Sequence, residues 1–417
     1  MMLRFLTVVP AQMCLLCSII LLACPLAAAE PKPVAAVVTS YFHNSHADVI
    51  VSRLLEGYTL NGQGERPNLK LVSLYTDQVP ANDKSRKLAE QYGFGIYDDV
   101  ADTLTLGSGK LAVEGVLLVA EHGKYRLSPT GQTVYPKRRL FEQIAAVFRA
   151  SGRVVPVFCD KHLADNWQDA KWLYDTAKEL GVPLMAGSSL PVLWRYPPAD
   201  VERDAALKEI VGVSYHTLDA YGFHGLEMLQ TLAERRSGGE TGVRAVTCLE
   251  GKAVWEAAGR LYSQDLFDAA MGRRRDRRGG GKPLAEIVPE PVLFHVEYAD
   301  GLRTSLLTLN GAVAEWAAAW RYADGRTAST LFWTQEARPV MHFTYLVKGI
   351  DSMFQTGRPA WPVERTLLTS GCLNLLLVSK QHGGQRLETP QLMVPYRTQW
   401  NWQQPPGPPP GRPFNEQ

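Results

Sequence analysis

Three consecutive residues with charged or titratable side chains, Asp160, Lys161 and His162, follow a short apolar run over Val154–Cys159. The run is short and rich in valine, and this pattern predicts a buried strand of a parallel sheet. Units of strand, helix and strand bind ligands at the carboxyl ends of their strands. The three side chains are therefore candidates for ligand binding or proton transfer, although solvation alone also explains a charged turn after a strand.

A second group of candidates lies in Gly222–Glu227, with the sequence GFHGLE, which opens a predicted helix. An imidazole titrates near neutral pH, so His224 is a candidate for proton transfer. A histidine near a helix start can equally have only a packing role. Glu227, together with Glu121 and Asp160, could instead supply paired carboxylates for hydrolysis or lyase chemistry.

The elements that would position these residues alternate between strands and helices over residues 30–190. This order predicts a Rossmann-like, doubly wound parallel sheet, the α/β class. The predicted strands are Val34–Val38, Leu69–Tyr75, Gly93–Ile96, Val113–Ala120, Val154–Cys159 and Val182–Ala186. The predicted helices are Ala47–Gly57, Lys84–Tyr92, Asp98–Leu106, Lys137–Ala150 and one that Asp165 caps and Gly181 ends. Residues 123–136 are predicted to be an inserted loop.

The pattern changes over residues 191–402 to longer, mixed segments, which predict an α+β domain with a mostly antiparallel sheet. Asp300-Gly301 and Asp324-Gly325 are hairpin signals between strand candidates rich in aromatic and β-branched residues. The predicted strands are Val211–Tyr215, Gly242–Leu249, Val292–Tyr298, Thr304–Leu309, Ala314–Tyr322 and Ser329–Trp333, and the predicted helices are Tyr221–Arg235, Ala253–Met271, His342–Gln355 and Val363–Ser379. The proline-rich residues 403–417 are predicted to be a disordered tail.

Polar residues also follow the first, second and fourth predicted strands. Ser40 and His43 lie in the first turn, Asp77 follows the second strand, and Glu121 follows the fourth. In dinucleotide-binding sheets the first turn holds a pyrophosphate at a helix N-terminus, and an acidic residue after the second strand binds a ribose hydroxyl. These four residues are therefore candidate cofactor contacts. Ordinary turn and loop capping is the alternative for Asp77 and Glu121.

These motifs resemble those of the Gfo/Idh/MocA family, the group of glucose-fructose oxidoreductase and inositol dehydrogenase. The tripeptide at 160–162 (DKH) is similar to the family's Glu-Lys-Pro motif. Gly222, His224 and Glu227 match its Gly-x-His-x-x-Asp signature, with glutamate for aspartate. The resemblance implies that Lys161 lies between the nicotinamide end of a cofactor and the substrate. It also implies that His224 is the acid/base beside the substrate hydroxyl.

The resemblance implies NAD or NADP as cofactor, with Asp77 on the ribose and Glu121 at the cofactor cleft. The family's three glycines of the first turn, however, correspond to Val38, Ser40 and His43. Two functions stay open: an oxidoreductase that acts on a carbohydrate or polyol hydroxyl with a nicotinamide cofactor, and a non-catalytic carbohydrate-binding or structural relative that has lost dinucleotide binding. Family members often pair through the open face of the C-terminal sheet, so a homo-oligomer is expected.

The N-terminal residues predict an exported protein. Arg4 precedes the apolar stretch Met13–Ala29, whose three final alanines complete the pattern of a cleaved secretory signal peptide over residues 1–29. The residues up to Cys24 resemble a bacterial lipobox, so Cys24 is a candidate lipid anchor, and a single uncleaved membrane anchor is the alternative. The expected location is periplasmic or extracellular. The stretch Glu234–Val243 resembles secreted family members of planctomycetes.

Composition sets further limits on the class of protein. The chain of 417 residues is 46% hydrophobic and 21% charged with a net charge of +2, which gives no electrostatic reason to expect nucleic acid as a partner. Outside the leader, Cys159, Cys248 and Cys372 lie far apart in apolar contexts. This spacing predicts buried thiols and neither a disulfide framework nor a metal site. The basic run over residues 273–282 is predicted to be an exposed flexible loop.

Overall fold

The structure, a computed structural model, describes residues 30–276, 278 and 281–407. The predicted signal peptide with Cys24 lies outside the described residues, as do residues 408–417 of the predicted tail and three positions of the basic run. Along the described part of the chain, no helix has the length and apolar character needed to cross a membrane.

A six-stranded parallel sheet forms the N-terminal part of the chain. Its strands are β1 (Lys32–Val38), β2 (Leu69–Thr76), β3 (Gly95–Ile96), β4 (Gly115–Val119), β5 (Val157–Asp160) and β6 (Leu184–Gly187), in the order β3-β2-β1-β4-β5-β6. The connecting helices are α1 (His46–Glu56), α2 (Ser85–Tyr92), α3 (Val100–Thr105), α4 (Lys137–Ser151) and α5 (Trp167–Leu180). Every residue of β4 and β5 is buried, as strands covered on both faces require. The predicted doubly wound sheet is confirmed.

Local signals in the sequence explain where these helices begin and end. Ser45 caps α1, because its side chain accepts a hydrogen bond from a backbone N–H of the first turn. Helix α5 begins one residue later than the Asp165 cap predicted. The Asn166 side chain is the cap, and it accepts a hydrogen bond from the Asp169 N–H at 2.9 Å. Gly181 ends the helix in the left-handed region, with φ of 71°.

An eight-stranded sheet forms the second part of the fold. Its strands are β7 (Trp194–Tyr196), β8 (Leu207–Ser214), β9 (Val243–Glu250), β10 (Val292–Tyr298), β11 (Arg303–Thr308), β12 (Trp316–Tyr322), β13 (Thr327–Trp333) and β14 (Leu387–Glu388), in the order β14-β9-β10-β11-β8-β12-β13-β7. Among these strands β8 and β11 pair in parallel, and the other described pairs are antiparallel. The predicted mostly antiparallel sheet is confirmed.

Six helices accompany this sheet in the sequence: α6 (Ala220–Ala233), α7 (Lys252–Glu256), α8 (Gln264–Arg273), α9 (Leu284–Ile287), α10 (His342–Thr356) and α11 (Glu364–Gln381). The prediction of one helix over Ala253–Met271 is wrong. The chain turns at Gly259, which has φ of 76°, so α7 and α8 are separate helices. Helix α8 packs against β8, β12 and β13, whereas α6 packs against β8 and β11, and α11 packs against β9 and α6. Almost all residues of β12 are buried, and because successive residues face opposite sides, both faces of this strand are covered.

Helix α10 returns to the first sheet, although it follows the second sheet in sequence. It packs against α1. Its Phe354 ring also lies so close to Gly115 of β4 that a Cβ atom added to this glycine would be 2.5 Å from the ring. Lys32 of β1 donates a hydrogen bond to the Phe354 carbonyl at 3.0 Å. This return brings residues after position 330 beside the carboxyl ends of β1, β4 and β5.

Candidate functional site

The turn after β5 is held in place by a buried lysine. The Lys137 ammonium, at the start of α4, donates hydrogen bonds to the carbonyl oxygens of Asp160, Lys161 and His162 at 2.7, 2.5 and 2.6 Å. His162 is fixed further, because its Nε2 lies 3.2 Å from a carboxylate oxygen of Asp219. Convergence of three carbonyls on one cation leaves the turn little conformational freedom. The predicted Asp-Lys-His turn is therefore a rigid platform for the Lys161 side chain.

Lys161 and Glu121 form a buried ion pair, with 2.8 Å between Nζ and Oε1. Burial opposes the charge of Lys161, but the carboxylates of Glu121 and Asp160 outweigh it and raise the pKa of the lysine. Burial likewise opposes the charge of Glu121, but the Lys161 ammonium outweighs it and lowers the pKa of the carboxyl. Both groups are therefore charged at neutral pH. Among the described residues Oε2 of Glu121 is buried and has no hydrogen-bond partner, so its capacity to accept a hydrogen bond is unused within the protein.

A cavity of about 260 Å³ lies at the carboxyl ends of β4 and β5. Both predicted catalytic residues, Lys161 and His224, line it together with Glu121. Its other walls come from elements before and after them in the sequence, including α10. The remaining lining residues are Asn44, His46, Val49, His122, Leu190, Ala220, Tyr221, Trp316, Thr334, Glu336, Val340, His342 and Phe343. The fold thus brings two separate motifs to one polar site.

His224 is oriented by the loop after β6. Its Nδ1 lies 2.5 Å from the Ser188 hydroxyl oxygen. Glu227, one turn along α6, accepts hydrogen bonds from the Ser188 N–H at 2.6 Å and from the Thr366 hydroxyl at 2.5 Å. Burial lowers the pKa of His224 well below its ordinary value, and the charge of Lys161 lowers it further. His224 is therefore neutral at neutral pH, and Glu227 positions the loop that holds it.

The paired-carboxylate alternative gains no support from this arrangement. Of Glu121, Asp160 and Glu227, Glu121 lines the cavity and is paired with Lys161. Asp160 is bonded to a histidine side chain and Glu227 to the loop after β6. Of the three carboxylates, Glu121 alone therefore lines the cavity.

Sequence reasoning missed His46, the first residue of α1, as a site residue. Its Nδ1 lies 2.6 Å from Oδ2 of the buried Asp160. The ring packs edge-on against His122 and against Phe343, with 5.2 Å between ring centroids in each case. One signal could have found it: a helix that follows β1 begins at the same sheet edge as Lys161, so its first side chain can reach the same site.

One wall of the cavity is aromatic. Tyr221 and Trp316 stack with 5.5 Å between ring centroids and 19° between ring planes. His342 and Phe343 of α10 also line the cavity. Sequence reasoning missed all four side chains in this role, because nothing local shows that β12 and α10 reach the end of the first sheet.

Asp77, the predicted ribose-binding residue, is hydrogen-bonded by three side chains of the protein itself. The Tyr75 hydroxyl and Arg139 Nη2 donate to Oδ1 at 2.9 and 2.5 Å, and the Tyr125 hydroxyl donates to Oδ2 at 2.7 Å. Burial opposes the carboxylate charge, but these hydrogen bonds outweigh it and lower the pKa of Asp77. Tyr125 belongs to the inserted loop over residues 123–136. The two oxygens that a ribose diol would use are thus already hydrogen-bonded within the protein.

The inserted loop also begins directly over the first turn. Ser40 is buried, and a Cβ atom at Gly123 would lie 3.1 Å from the Ser40 hydroxyl oxygen. Gln78, next to Asp77, exchanges two hydrogen bonds with the backbone of Lys124, at 2.9 and 3.1 Å. The His43 side chain, in contrast to buried Ser40, is 65% exposed. Ser40, His43 and Asp77 therefore do not line the cavity that Lys161 and Glu121 share.

The start of α1 already carries a buried negative charge. Asp48 is fully buried in the first turn and pairs with Lys84 at 2.5 Å and Arg338 at 2.7 Å. Its Oδ2 accepts a hydrogen bond from the Asn44 N–H at 2.9 Å, and its own N–H donates to the Ser45 cap. A helix start attracts a pyrophosphate through free N–H groups and a positive dipole, and here the Ser45 hydroxyl already accepts one of these N–H groups and the Asp48 carboxylate places a negative charge in the same turn. The residues as arranged do not fit the adenosine-ribose and pyrophosphate half of NAD or NADP.

The cavity is rich in histidine, yet the described residues contain no group of three or more His, Cys, Asp and Glu side chains arranged to hold a metal ion. Cys159, Cys248 and Cys372 are free thiols, and their predicted burial is confirmed. Burial raises the pKa of the Cys159 thiol to about 11, so it is not a reactive thiolate at neutral pH.

Three solved structures show a similar fold. GenD2 from gentamicin A biosynthesis, crystallised in complex with NAD, is 15% identical, has a TM-score of 0.54, and is aligned over 86% of this chain and 97% of its own. A probable dehydrogenase from Thermotoga maritima is 13% identical with a TM-score of 0.53, over 86% and 99% of the two chains. A myo-inositol dehydrogenase from Corynebacterium glutamicum ATCC 13032 is 11% identical with a TM-score of 0.50, over 86% and 98%.

No protein-family model matches the chain, and no curated protein matches its sequence. At these identities the likeness to solved structures shows the fold alone. The chain therefore has the two-domain fold of the Gfo/Idh/MocA-type dehydrogenases, a Rossmann-like sheet followed by a mostly antiparallel sheet.

Proposed function

We propose that the protein is a Gfo/Idh/MocA-type protein that binds a small carbohydrate or polyol in this cavity and contacts one ligand hydroxyl with Lys161 and His224. One observation carries the proposal: the two side chains come from separate motifs and line the same polar cavity as Glu121. The Glu121 carboxylate and the Ser188 hydroxyl hold them in place within the protein itself. A concave site with a few preorganised polar groups is typical of small-molecule binding.

The polar atoms of the cavity suit a ligand with several hydroxyl groups, because a hydroxyl both donates and accepts hydrogen bonds. Lys161 is a donor, whereas Glu121 Oε2 and His122 Nε2 are buried atoms without a partner among the described residues. The stacked rings of Tyr221 and Trp316 add a flat apolar surface for the C–H face of a sugar ring. The volume of about 260 Å³ matches one sugar-sized ligand better than an extended one.

The chemistry that this geometry supports is proton transfer at a ligand hydroxyl. The charged Lys161 ammonium would stabilise negative charge on the hydroxyl oxygen as its proton leaves, as preorganised donors do in a buried site. Because the first turn and Asp77 do not fit NAD or NADP, we propose that the cavity binds its ligand without a dinucleotide.

The second candidate is oxidation of the ligand hydroxyl with NAD or NADP. Two observations favour it: Lys161 and His224 share a cavity, and GenD2, which has a similar fold, was crystallised with NAD. In this case Tyr125 and the loop that carries it would have to leave Asp77 before the cofactor enters.

Calorimetric titration of the purified protein with a panel of monosaccharides and polyols, including myo-inositol, tests the leading proposal. We expect saturable binding of at least one compound and a loss of affinity of about tenfold or more for Lys161→Met and His224→Gln, which corresponds to about 1.4 kcal/mol. Lys348→Met is the matched control, because Lys348 lies at the surface, paired with Glu65 at 3.1 Å. Absence of binding across the panel at millimolar concentration would contradict the proposal.

Titration with NADH and NADPH, followed by their fluorescence, separates the two candidates. The leading proposal expects no saturable binding up to millimolar concentration. Micromolar binding that Asp77→Ala abolishes would instead support oxidation with NAD or NADP, which would then become the leading proposal. In that event, NAD and NADP would be compared by the same titration.

We also propose that the chain is exported to the periplasm or the cell exterior and belongs to the secreted, planctomycete-type branch of the family. The charged and apolar leader over residues 1–29 and the stretch Glu234–Val243 support this proposal. N-terminal sequencing of the protein recovered from its host tests it: a start at Glu30 is expected for a cleaved leader, and a lipid-modified Cys24 for an anchored protein.

The expected homo-oligomer needs a surface other than the face of the second sheet that α8 covers. Helix α8 packs on β8, β12 and β13 within one chain, so pairing through that face would require it to move. Light scattering on the purified protein measures the oligomeric state directly. If the protein is a dimer and substitution of exposed α8 residues converts it to a monomer, α8 itself forms the contact between the two copies.

A further inference from the structure

His46 is oriented by a buried carboxylate. Its Nδ1 lies 2.6 Å from Oδ2 of Asp160, whose side chain is 1% exposed. Burial opposes the charge of Asp160, but its contact with the His46 ring outweighs burial and lowers the pKa of the carboxyl. An ionised carboxylate only accepts hydrogen bonds, so the Nδ1 atom of His46 must carry a hydrogen. The neutral ring therefore has its lone pair on Nε2.

The ring of His46 is also fixed in orientation. His122 and Phe343 pack edge-on against it, each with 5.2 Å between ring centroids, and His46 lines the cavity beside them. The described residues give Nε2 of His46 no hydrogen-bond partner, and 15% of its side chain is exposed. A histidine held by a buried aspartate through Nδ1 presents Nε2 as a base, which is the arrangement of the hydrolase triads.

His224 has the opposite arrangement of hydrogens. The Ser188 hydroxyl oxygen accepts a hydrogen bond from the Leu190 N–H at 3.1 Å, and the buried hydroxyl hydrogen needs an acceptor of its own. Among the described residues, Nδ1 of His224 at 2.5 Å is the acceptor available to it. The neutral His224 ring therefore carries its hydrogen on Nε2, where it can donate a hydrogen bond.

We propose that His46 is the proton acceptor of the cavity and that His224 and Lys161 are hydrogen-bond donors to the ligand oxygen from which the proton leaves. This inference rests on the proposed function and changes the role that the family resemblance implies for His224. The proton moves from a ligand hydroxyl to Nε2 of His46, so one O–H bond breaks and one N–H bond forms. The electron pair stays on the ligand oxygen, beside Lys161 and the N–H of His224.

Charge balance favours this assignment over the reverse one. Proton transfer to His46 creates an imidazolium next to the ionised Asp160, and an opposite charge in contact stabilises it. The same proton on His224 would lie near Lys161 with the neutral Ser188 as its hydrogen-bond partner. A buried charge without a counter-ion is costly, so His46 is the better base.

Nitrogen-15 NMR of the histidine-labelled protein tests the assignment without any ligand. We expect the neutral His46 ring to carry its hydrogen on Nδ1 and the neutral His224 ring to carry its hydrogen on Nε2. His46→Gln and His224→Gln assign the two sets of signals. Asp160→Asn should shift His46 toward the other tautomer and leave His224 unchanged, whereas Ser188→Ala should affect His224 alone.

A His46 ring with its hydrogen on Nε2, or the same tautomer in both rings, would overturn the inference even if Asp160→Asn failed to fold, because the wild-type spectrum decides it. This result would leave sugar binding, and with it the proposed function, intact. Failure of every sugar to bind would instead end the proposed function, while the two tautomers would still be measured. The two failures are thus distinguishable.

Discussion

The cavity around Lys161 and the turn around Asp77 lie at the same edge of the first sheet, yet their polar atoms are used differently. In the cavity, Glu121 Oε2 and His122 Nε2 have no hydrogen-bond partner among the described residues. At the turn, both oxygens of Asp77 are bonded to side chains of the protein itself. One region keeps buried polar atoms without a partner, and the other has bonded its polar atoms within the protein.

This difference distinguishes a candidate binding site from a region whose polar groups only stabilise the fold. A buried polar atom without a partner costs about 1–3 kcal/mol, so a fold keeps one where a ligand or water completes it. The Asp77 carboxylate already accepts hydrogen bonds from three side chains, so no ligand is required to satisfy it. Both regions depart from the family's motifs, and the hydrogen bonds around each carboxylate distinguish the two regions.

The largest effect is expected in the cavity, from Glu121→Gln. This change removes the counter-ion of Lys161 and leaves a buried cation, because the two side chains are 6% and 1% exposed. Breaking one side of a buried pair costs about 3–5 kcal/mol of unfolding free energy. Urea unfolding followed by circular dichroism measures the loss.

Glu65→Gln is the matched control for this variant. Glu65 pairs with Lys348 at 3.1 Å, but 80% of its side chain is exposed. Removal of an exposed pair changes the unfolding free energy by less than about 1 kcal/mol. Similar small losses in both variants would show that Lys161 and Glu121 are not a buried charged pair.

Mild acid should destabilise the fold through its buried histidines. Burial lowers the pKa of His122 at the cavity and of His295 in the second sheet from 6.5 to about 4. Between these values the unfolded chain binds more protons than the folded chain. The stability is therefore complete above pH 6.5 and falls as the pH drops toward 4. Each histidine adds a slope of up to about 1.4 kcal/mol per pH unit.

Urea unfolding at several pH values between neutral and mildly acidic measures this slope. His122→Asn should reduce it, and asparagine is chosen because His122 has φ of 71°, a conformation that asparagine adopts readily. His295→Asn is the comparison outside the cavity and should reduce the slope by a similar amount. An unchanged slope in His122→Asn would show that His122 is already protonated in the folded protein.

The fold could be predicted from the sequence because its signals are local. Short apolar runs such as Val113–Ala120 and turn pairs such as Asp300-Gly301 mark strands and hairpins within a few residues. The error at Ala253–Met271 is also local, because helical spacing on both sides of Gly259 concealed a turn. Chain direction and sheet order then follow from the rules for strand-helix-strand units.

The candidate site was only half predictable, because its pairs are distant in sequence. Lys161 and His224 could be placed by motif, but the bond from His46 to Asp160 joins residues 114 positions apart. The bond from Tyr125 to Asp77 spans 48 positions. A motif gives the position of a side chain in the sequence. The function of that side chain depends on which of its polar atoms have no hydrogen-bond partner in the folded protein.

A smaller effect is expected at the turn, from Asp77→Asn. This variant keeps one acceptor but loses the charge that holds Tyr125 and Arg139, so a loss of about 1–2 kcal/mol is expected. The inserted loop should loosen, and limited trypsin digestion should cut faster after Lys124 and Arg126. Asp324→Asn, in an exposed hairpin, is the control and should leave these cuts unchanged.

Asp77 would be a cofactor residue after all if Asp77→Asn left the loop protected but abolished the binding of NADH. The same outcome would remove the difference between the two regions, because both would then serve a ligand. Faster cleavage without any nucleotide binding keeps them distinct.

The smallest effect is expected from His43→Ala, although His43 stands at a glycine position of the family's first turn. Its side chain is 65% exposed, and its Nδ1 lies 3.9 Å from the Asp48 carboxylate. An exposed contact at that distance contributes little, so the unfolding free energy should change by less than about 0.5 kcal/mol and sugar affinity should not change. His46→Ala, three residues later, should lower sugar affinity about tenfold or more, because His46 lines the cavity. Equal effects of the two substitutions would show that His43 and His46 do not differ in their contribution to sugar binding.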